Sequence, residues 1–284
     1  MAHGPAVRRR KLGAELRRQR DLAGLTSGEA ATRAGWHQSK VSRIETGRSA
    51  AKAADVRLLL DVYECADADL RAVLEALTVP DAPDRAWWRA YRELLPDAYR
   101  DFISLEGEAT LVRTLETMVV PGLLQTPAYA RAVTRAAMAG AAEGKVAALA
   151  DVRIARQAVL RATPPLTLHA VLDEAVLRRE VGGREVMAEQ LRHLVELGRL
   201  ENVRLQVLPF SSGVHVGVCG PFVMFSFPHS SDLDVVVLDH LTSSFYLERK
   251  EDLGAYVEAF ADLQASALSH EQSLAFMAGI NSGM

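Results

Sequence analysis

Residues 35–48 read Gly-Trp-His-Gln-Ser-Lys-Val-Ser-Arg-Ile-Glu-Thr-Gly-Arg. The two glycines bracket room for about two turns of helix. On that helix Val41 and Ile44, spaced i, i+3, face inward. Gln38, Ser39, Lys40, Ser42 and Arg43 then face outward. Such a face carries hydrogen-bond donors and acceptors with two cations among them, which suits the edge of a base pair and its phosphates. The chemistry it offers is recognition, and the stretch has the pattern of a DNA-reading helix.

The flanking elements must hold that helix in place. Leu12, Leu16, Arg20 and Ala23 recur at helical spacing, and Gly24 supplies a C-terminal stop. Thr26 or Ser27 can cap a second helix, with Glu29 in its first turn where the helix dipole favours an acid. Ala30, Ala31 and Ala34 give it a small-residue inner face, and Gly35 ends it. The recognition stretch follows after a short turn, the spacing of a helix-turn-helix. Beyond Gly47, Ala54, Leu58, Leu59 and Val62 form a fourth apolar stripe. Asp67 or Asp69 can cap a fifth helix carrying Leu70, Val73, Leu74 and Leu77. The pattern predicts an all-α module of five short helices over residues 1–78.

Residues 8–77 resemble the Cro/repressor class of helix-turn-helix domains, the xenobiotic-response-element family. The matching residues are Leu25-Thr26, Ala31, Gly35 and Val41-Ser42-Arg43-Ile44-Glu45 with Gly47. The resemblance implies base readout by Gln38, Ser39 and Arg43. It implies phosphate contacts by Ser27 and Arg48, to which the cations and hydroxyl of Lys40, Ser42, Arg9 and Arg10 can be added. It also implies a partly buried pair between Arg20 and Glu45. Two departures stand out. Trp36 and His37 occupy places where small or hydroxyl residues are usual, so the expected N-cap hydroxyl is missing, and Ala30 replaces a larger Leu. One such module binds weakly, so a homodimer on two half-sites of double-stranded DNA is expected.

Charge is divided along the chain. Residues 1–52 hold 12 Lys or Arg against 4 Asp or Glu, a net +8, while the whole chain carries −3, leaving −11 for the rest. A basic start joined to an acidic body suits a DNA-binding arm with a second task. The 284 residues allow two ordinary domains. Cys65 and Cys219 are too few for a disulfide framework or zinc ribbon. No run approaches the ~18 apolar residues of a membrane span, and no signal peptide opens the chain, so a cytoplasmic protein is expected.

Residues 79–86, with Pro80 and Pro83, read as a linker. The aromatic cluster of Trp87, Trp88 and Tyr91 can stack a base or ligand, or staple an incoming helix to a core. Residues 87–284 mix helix and strand. A strand is expected within 102–109 and a short helix through Leu111, Leu115 and Met118. Further helices are expected over 129–150, 152–160, 186–200 and 253–268. Strands are expected over 166–172, 203–208, 221–227, 233–238 and 244–247. Together they predict an α+β domain with a mostly antiparallel sheet.

The run Val120-Pro121-Gly122-Leu123-Leu124-Gln125-Thr126-Pro127-Ala128-Tyr129-Ala130 carries a second resemblance. With Leu208-Pro209-Phe210, Gly213, His215, Gly217 and Gly220-Pro221-Phe222-Val223, it is similar to an uncharacterised domain that follows this helix-turn-helix in many actinomycete regulators. That family implies an antitoxin-like regulator whose partner is a small protein encoded nearby. The candidate partner or ligand surface is Trp87, Trp88, Leu124, Gln125, Tyr129, Phe210, His215 and Phe222.

An enzyme is the rival class. His215 and Cys219 lie four apart, but no nucleophile elbow, Walker loop, Rossmann fingerprint or His-Glu-x-x-His helix is present. His229, Asp232, Asp234, Asp239 and His240 are conceivable metal ligands, although acidic turns beside strands are usually solvated hairpins. No catalytic residue, metal or cofactor is therefore assigned. The expectation is a transcriptional regulator, with a metabolite sensor or a DNA-tethered enzyme as the alternatives.

Overall fold

The computed structural model describes residues 6–47, 49–78, 91, 94–227, 234–240 and 243–282, without the side chains of 6–8, 10, 11, 97 and 98. The expected linker at 79–86, Trp87, Trp88 and Arg48 lie outside the described residues, as does the Arg10 side chain. The chain divides into two compact units, residues 1–90 with 97–105, and residues 91–96 with 106–284.

The first unit contains α1 (Ala6–Leu22), α2 (Ser27–Ala34), α3 (Gln38–Glu45), α4 (Ala53–Val62) and α5 (Ala68–Ala76). Local chemistry sets their ends. Thr26 and Glu29 form a capping box at the start of α2, and Gly35 ends it in the left-handed region at φ 70°. Asp67 caps α5 by accepting from the Leu70 N–H. Leu12, Leu16, Leu25, Ala30, Ala31, Val41, Ile44, Val56, Leu59, Leu60, Tyr63 and Leu74 close one core. Each large apolar side chain in it contributes about 1.5–3 kcal/mol of burial.

Gly13 decides how closely α1 meets α3. A Cβ there would lie 2.5 Å from the Ile44 carbonyl oxygen and 2.6 Å from that of Glu45. Glycine is a poor residue for the middle of a helix, so only this close approach accounts for it.

α6 (Asp97–Glu108) has residues 97–105 in the first unit and its last turn, from Glu106, in the second, where β1 (Leu111–Glu116) is followed by α7 (Pro127–Ala137), α8 (Glu143–Arg156) and β2 (Thr167–Asp173). Then come α9 (Glu174–Arg178), α10 (Arg184–Leu197), β3 (Val203–Leu208), β4 (Phe222–Ser226), β5 (Val235–Asp239), β6 (Ser244–Leu247), α11 (Lys250–Ser266) and α12 (His270–Ser282). The sheet order is β3-β2-β1-β4-β5-β6. β1, β2 and β3 pair in parallel, whereas β1–β4, β4–β5 and β5–β6 pair antiparallel. The sheet is thus mixed. Its parallel half requires crossovers, which α7–α8 and α9–α10 supply.

Several elements differ from the sequence expectation. Residues 102–109 fall largely in α6, because a short apolar run such as Phe102-Ile103-Ser104-Leu105 has no period that separates helix from strand. Leu111 and Leu115 sit at helical spacing yet belong to β1, where pairing on both sides with β2 and β4 overrides that spacing; Met118 beyond it is exposed. The long helix expected at 129–150 is two helices, parted near Gly140 at φ 85°. Residues 157–161 are a 3-10 turn. α12 was not expected at all, although Ser269 and Gln272 form a capping box at its start.

One face of the sheet packs on α11 through Leu115, Val171, Leu208, Phe222, Met224, Val236, Leu253, Phe260 and Leu263. The β3 edge is covered by α12. The Val207 N–H donates to Ser273 Oγ at 2.8 Å, and the Leu268 N–H to the Val207 carbonyl at 2.9 Å. His270 Nε2 lies 2.9 Å from the Gly198 carbonyl, which leaves Nδ1 to accept from the Leu205 N–H at 3.1 Å. These bonds leave no exposed ladder for another chain along these residues.

Within the second unit a buried ion pair ties α8 to Glu106. Arg156 Nε and Nη2 reach Glu106 Oε1 and Oε2 at 2.8 and 2.6 Å. Removing the cation alone, as in Arg156→Met, should cost about 3–5 kcal/mol because a buried carboxylate loses its partner. Arg156→Met with Glu106→Leu should recover most of that loss in urea unfolding; equal losses would mean the pair is not the interaction at stake. In the first unit, Gly13→Ala gains about 1 kcal/mol of helix propensity but forces the backbone apart at a cost of about 1–3 kcal/mol. The variant should melt at a lower temperature by circular dichroism, and a higher melting temperature would contradict the close contact of α1 with α3.

Candidate nucleic-acid interface

α3 presents the outward face. Val41, Ile44 and Glu45 are buried, whereas His37, Gln38, Ser39, Ser42 and Arg43 are exposed. The N-cap is His37, with φ −80° and ψ 140°: its Nδ1 accepts from the Ser39 N–H at 3.3 Å and meets Ser39 Oγ at 2.9 Å. The imidazole thus does what the missing hydroxyl would do. An N-cap acceptor of this kind satisfies one of the orphan donors of the first turn.

Gln38 is not loose. Its Nε2 donates to Ser27 Oγ at 3.0 Å, linking the first residue of α3 to the first residue of α2. The amide oxygen of Gln38 has no hydrogen bond among the described residues. Arg43, one turn and a half along, is exposed and makes no side-chain hydrogen bond or ion pair among the described residues. Its guanidinium keeps the bidentate geometry that suits a guanine edge.

Lys40 behaves differently from the rest of the face. Its Nζ reaches Asp55 Oδ1 at 2.8 Å and lies 3.5 Å from the centroid of the Trp36 ring. Asp55 Oδ2 also accepts the Lys52 N–H at 3.0 Å. Burial pushes the Asp55 carboxyl up, yet the hydrogen bonds from Lys40 and Lys52 outweigh it and hold it below its ordinary value. The Lys40 charge is therefore partly spent within the unit.

The other end of α3 is fixed by a buried network. Arg20 Nε and Nη2 donate to Glu45 Oε1 and Oε2 at 2.9 and 3.0 Å, and the Tyr63 hydroxyl donates to Oε1 at 3.0 Å. Arg20 Nη1 also bonds the Leu25 carbonyl at 2.7 Å, at the turn before α2. The hydrogen bond to Glu45 raises the Arg20 guanidinium above its ordinary value against the pull of burial. Burial, and next the Glu45 charge, push the Tyr63 hydroxyl far up, so it remains a donor. Arg9 Nε donates to the Gly47 carbonyl at 3.4 Å, which sets a cation of α1 beside the exit from α3.

The candidate surface of the second unit divides. Leu124, Gln125, Tyr129 and Phe222 are buried, so they form structure and offer no surface. Gln125 Nε2 donates to the Val120 carbonyl at 2.7 Å, the Val120 N–H to the Tyr129 hydroxyl at 3.0 Å, and Gln190 bonds both the Leu124 carbonyl and the Thr126 N–H. Side chains of the run itself, with Gln190 of α10, thus satisfy its buried backbone. Phe222 stacks edge-on to Tyr256 and Phe260 in the core. By contrast Phe210 is exposed, and so are Val214, Val216 and Val218. His215 Nε2 stands 3.9 Å from Asp173 Oδ2, too far for a hydrogen bond.

Among the described residues no three His, Cys, Asp or Glu side chains are grouped to hold a metal ion; His229 and Asp232 lie outside them. No described helix is long and apolar enough to cross a membrane.

Sequence patterns alone miss four contributors to this site: Gly13, Tyr63, Asp55 and the capping role of His37. The extended residue before a helix was a usable signal for His37, since an imidazole nitrogen can accept like a hydroxyl. Asp55 accepts locally from the Lys52 N–H, but its bond to Lys40 and the partners of Gly13 and Tyr63 are distant in sequence.

The helix-turn-helix domain family matches residues 11–74. No curated protein and no solved structure matches the chain. The domain of unknown function DUF5753 matches residues 99–279, more than half of the chain. The chain accordingly belongs to the DUF5753 family, and it carries a helix-turn-helix DNA-binding domain ahead of that domain.

Proposed function

We propose that the protein is a sequence-specific transcriptional regulator of the Cro/repressor type, acting as a cytoplasmic homodimer, whose second unit is an effector domain. The observation that carries this reading is the exposed face of α3, with Gln38 braced by Ser27 and Arg43 exposed and without a side-chain partner among the described residues. Gln38, Ser39 and Arg43 read base edges. Ser27, Ser42 and Arg9, with Arg10 and Arg48, meet phosphates, and Lys40 contributes less because Asp55 holds it. The chain carries out no catalytic step. Its effector is a small partner protein or a ligand, and it regulates only if that effector discriminates the DNA-competent state from the other. The exposed apolar run Phe210, Val214, Val216 and Val218 favours the protein partner.

Genomic footprinting of the wild type beside Gln38→Ala and Arg43→Ala tests the assignment. Each substitution should remove about 1–3 kcal/mol of base discrimination and thin occupancy at the best sites. Unchanged occupancy in both variants would sink it.

On a footprinted duplex, affinity should fall with salt at about −0.9 per phosphate neutralised. Asp55→Asn frees Lys40 and should steepen that slope by about one such unit. An identical slope would show that Asp55 does not restrain the lysine.

A further inference from the structure

The register of the parallel strands sets Arg113 of β1 beside His169 of β2, and His169 beside Arg204 of β3. Neighbouring strands are about 4.8 Å apart, so three basic side chains form a row about 10 Å long on one face of the sheet. The same row continues through Met224 and Val236, which pack into the cluster beneath α11. Arg113 and His169 are half-buried and Arg204 is exposed. Like charges placed side by side destabilise a sheet, and no carboxylate holds a register position among these three.

The neighbouring groups leave this charge only partly answered. Arg113 Nη2 donates to Ser226 Oγ at 3.0 Å, and Ser226 Oγ donates to Asp234 Oδ2 at 2.9 Å. Arg113 Nε is buried and has no hydrogen-bond partner among the described residues. Arg204 is felt by Glu271 on α12 but forms no ion pair among the described residues. Burial first, then Arg204 and Arg113, hold the His169 imidazole below its ordinary value, so near neutral pH it adds an N–H donor without a third charge.

We infer that Arg113, His169 and Arg204 form a binding site for a small phosphate-bearing anion. Two guanidiniums offer fork geometry for phosphate oxygens, and the orphaned Arg113 Nε is a donor that such an anion would satisfy. The length of the row suits one or two phosphate groups. A long polyanion is disfavoured, because residues 53–284 carry a net −11 that repels duplex DNA or an anionic membrane. The inference rests on the effector reading of the second unit and names the chemical class of one effector.

Titration of inorganic pyrophosphate into the full chain, followed by calorimetry and by the histidine ring resonances, tests it without DNA. The wild type should bind saturably, with the His169 resonances shifting in step. Arg204→Glu alters an exposed side chain and should weaken binding at least tenfold while the circular dichroism spectrum is unchanged. Absence of saturable binding to the wild type overturns the site, and so does equal affinity in Arg204→Glu. If Arg204→Glu instead weakens binding to the footprinted duplex, the row is a DNA contact and the inference fails. Footprinting of the wild type is read separately, so loss of this site leaves the DNA assignment standing.

Discussion

α3 has eight residues, and isolated helices shorter than about 12–15 residues are marginal in water. Its shape and orientation therefore depend on what holds its ends. At the C-terminal end that holder is the Glu45 carboxylate, buried with Arg20 and Tyr63 as donors. A carboxylate there opposes the helix dipole, so it is tolerated only because the guanidinium neutralises it. Once buried, it cannot leave: an unpaired charge in that position would cost about 3–5 kcal/mol. Gly13 brings α1 to the same place, and Arg20 also bonds the turn before α2. One ionic knot thus sets the angle between three helices. The outward residues of α3 inherit their direction from it.

The second unit solves a different problem. β1 is where the sheet changes from parallel to antiparallel pairing, and it is paired on both sides, with β2 and with β4, to do so. The loop after it exposes Met118 and then runs buried through Leu123, Leu124 and Gln125 to the start of α7, with Gln125, Gln190 and Tyr129 satisfying its carbonyls and N–H groups. The residues of this loop are therefore structural. Surface chemistry lies elsewhere, on the apolar run around Val214 and on the basic row of β1 to β3.

What was legible in the sequence follows from range. The five helices of the first unit are written in local signals: the Thr26–Glu29 box, the Gly35 stop, the inward Val41 and Ile44. The strands at 203–208 and 244–247 match their expected bounds, since short β-branched and aromatic runs there are flanked by turns. β1 was hidden because its Leu111–Leu115 spacing imitates a helix and only its neighbours make it a strand. Leu124 and Tyr129 resemble a surface when read as motif residues, and burial is a property of the fold around them. The basic row was invisible for the same reason, since Arg113, His169 and Arg204 meet only through register.

The central claim is that the outward face of α3 reads DNA in a paired molecule. Selection of bound sequences from a random duplex pool by the full chain tests it most directly. The account predicts enrichment of a two-fold symmetric site whose halves lie about one helical turn, roughly 34–36 Å, apart or a multiple of it. A pool that emerges without any common sequence would contradict it.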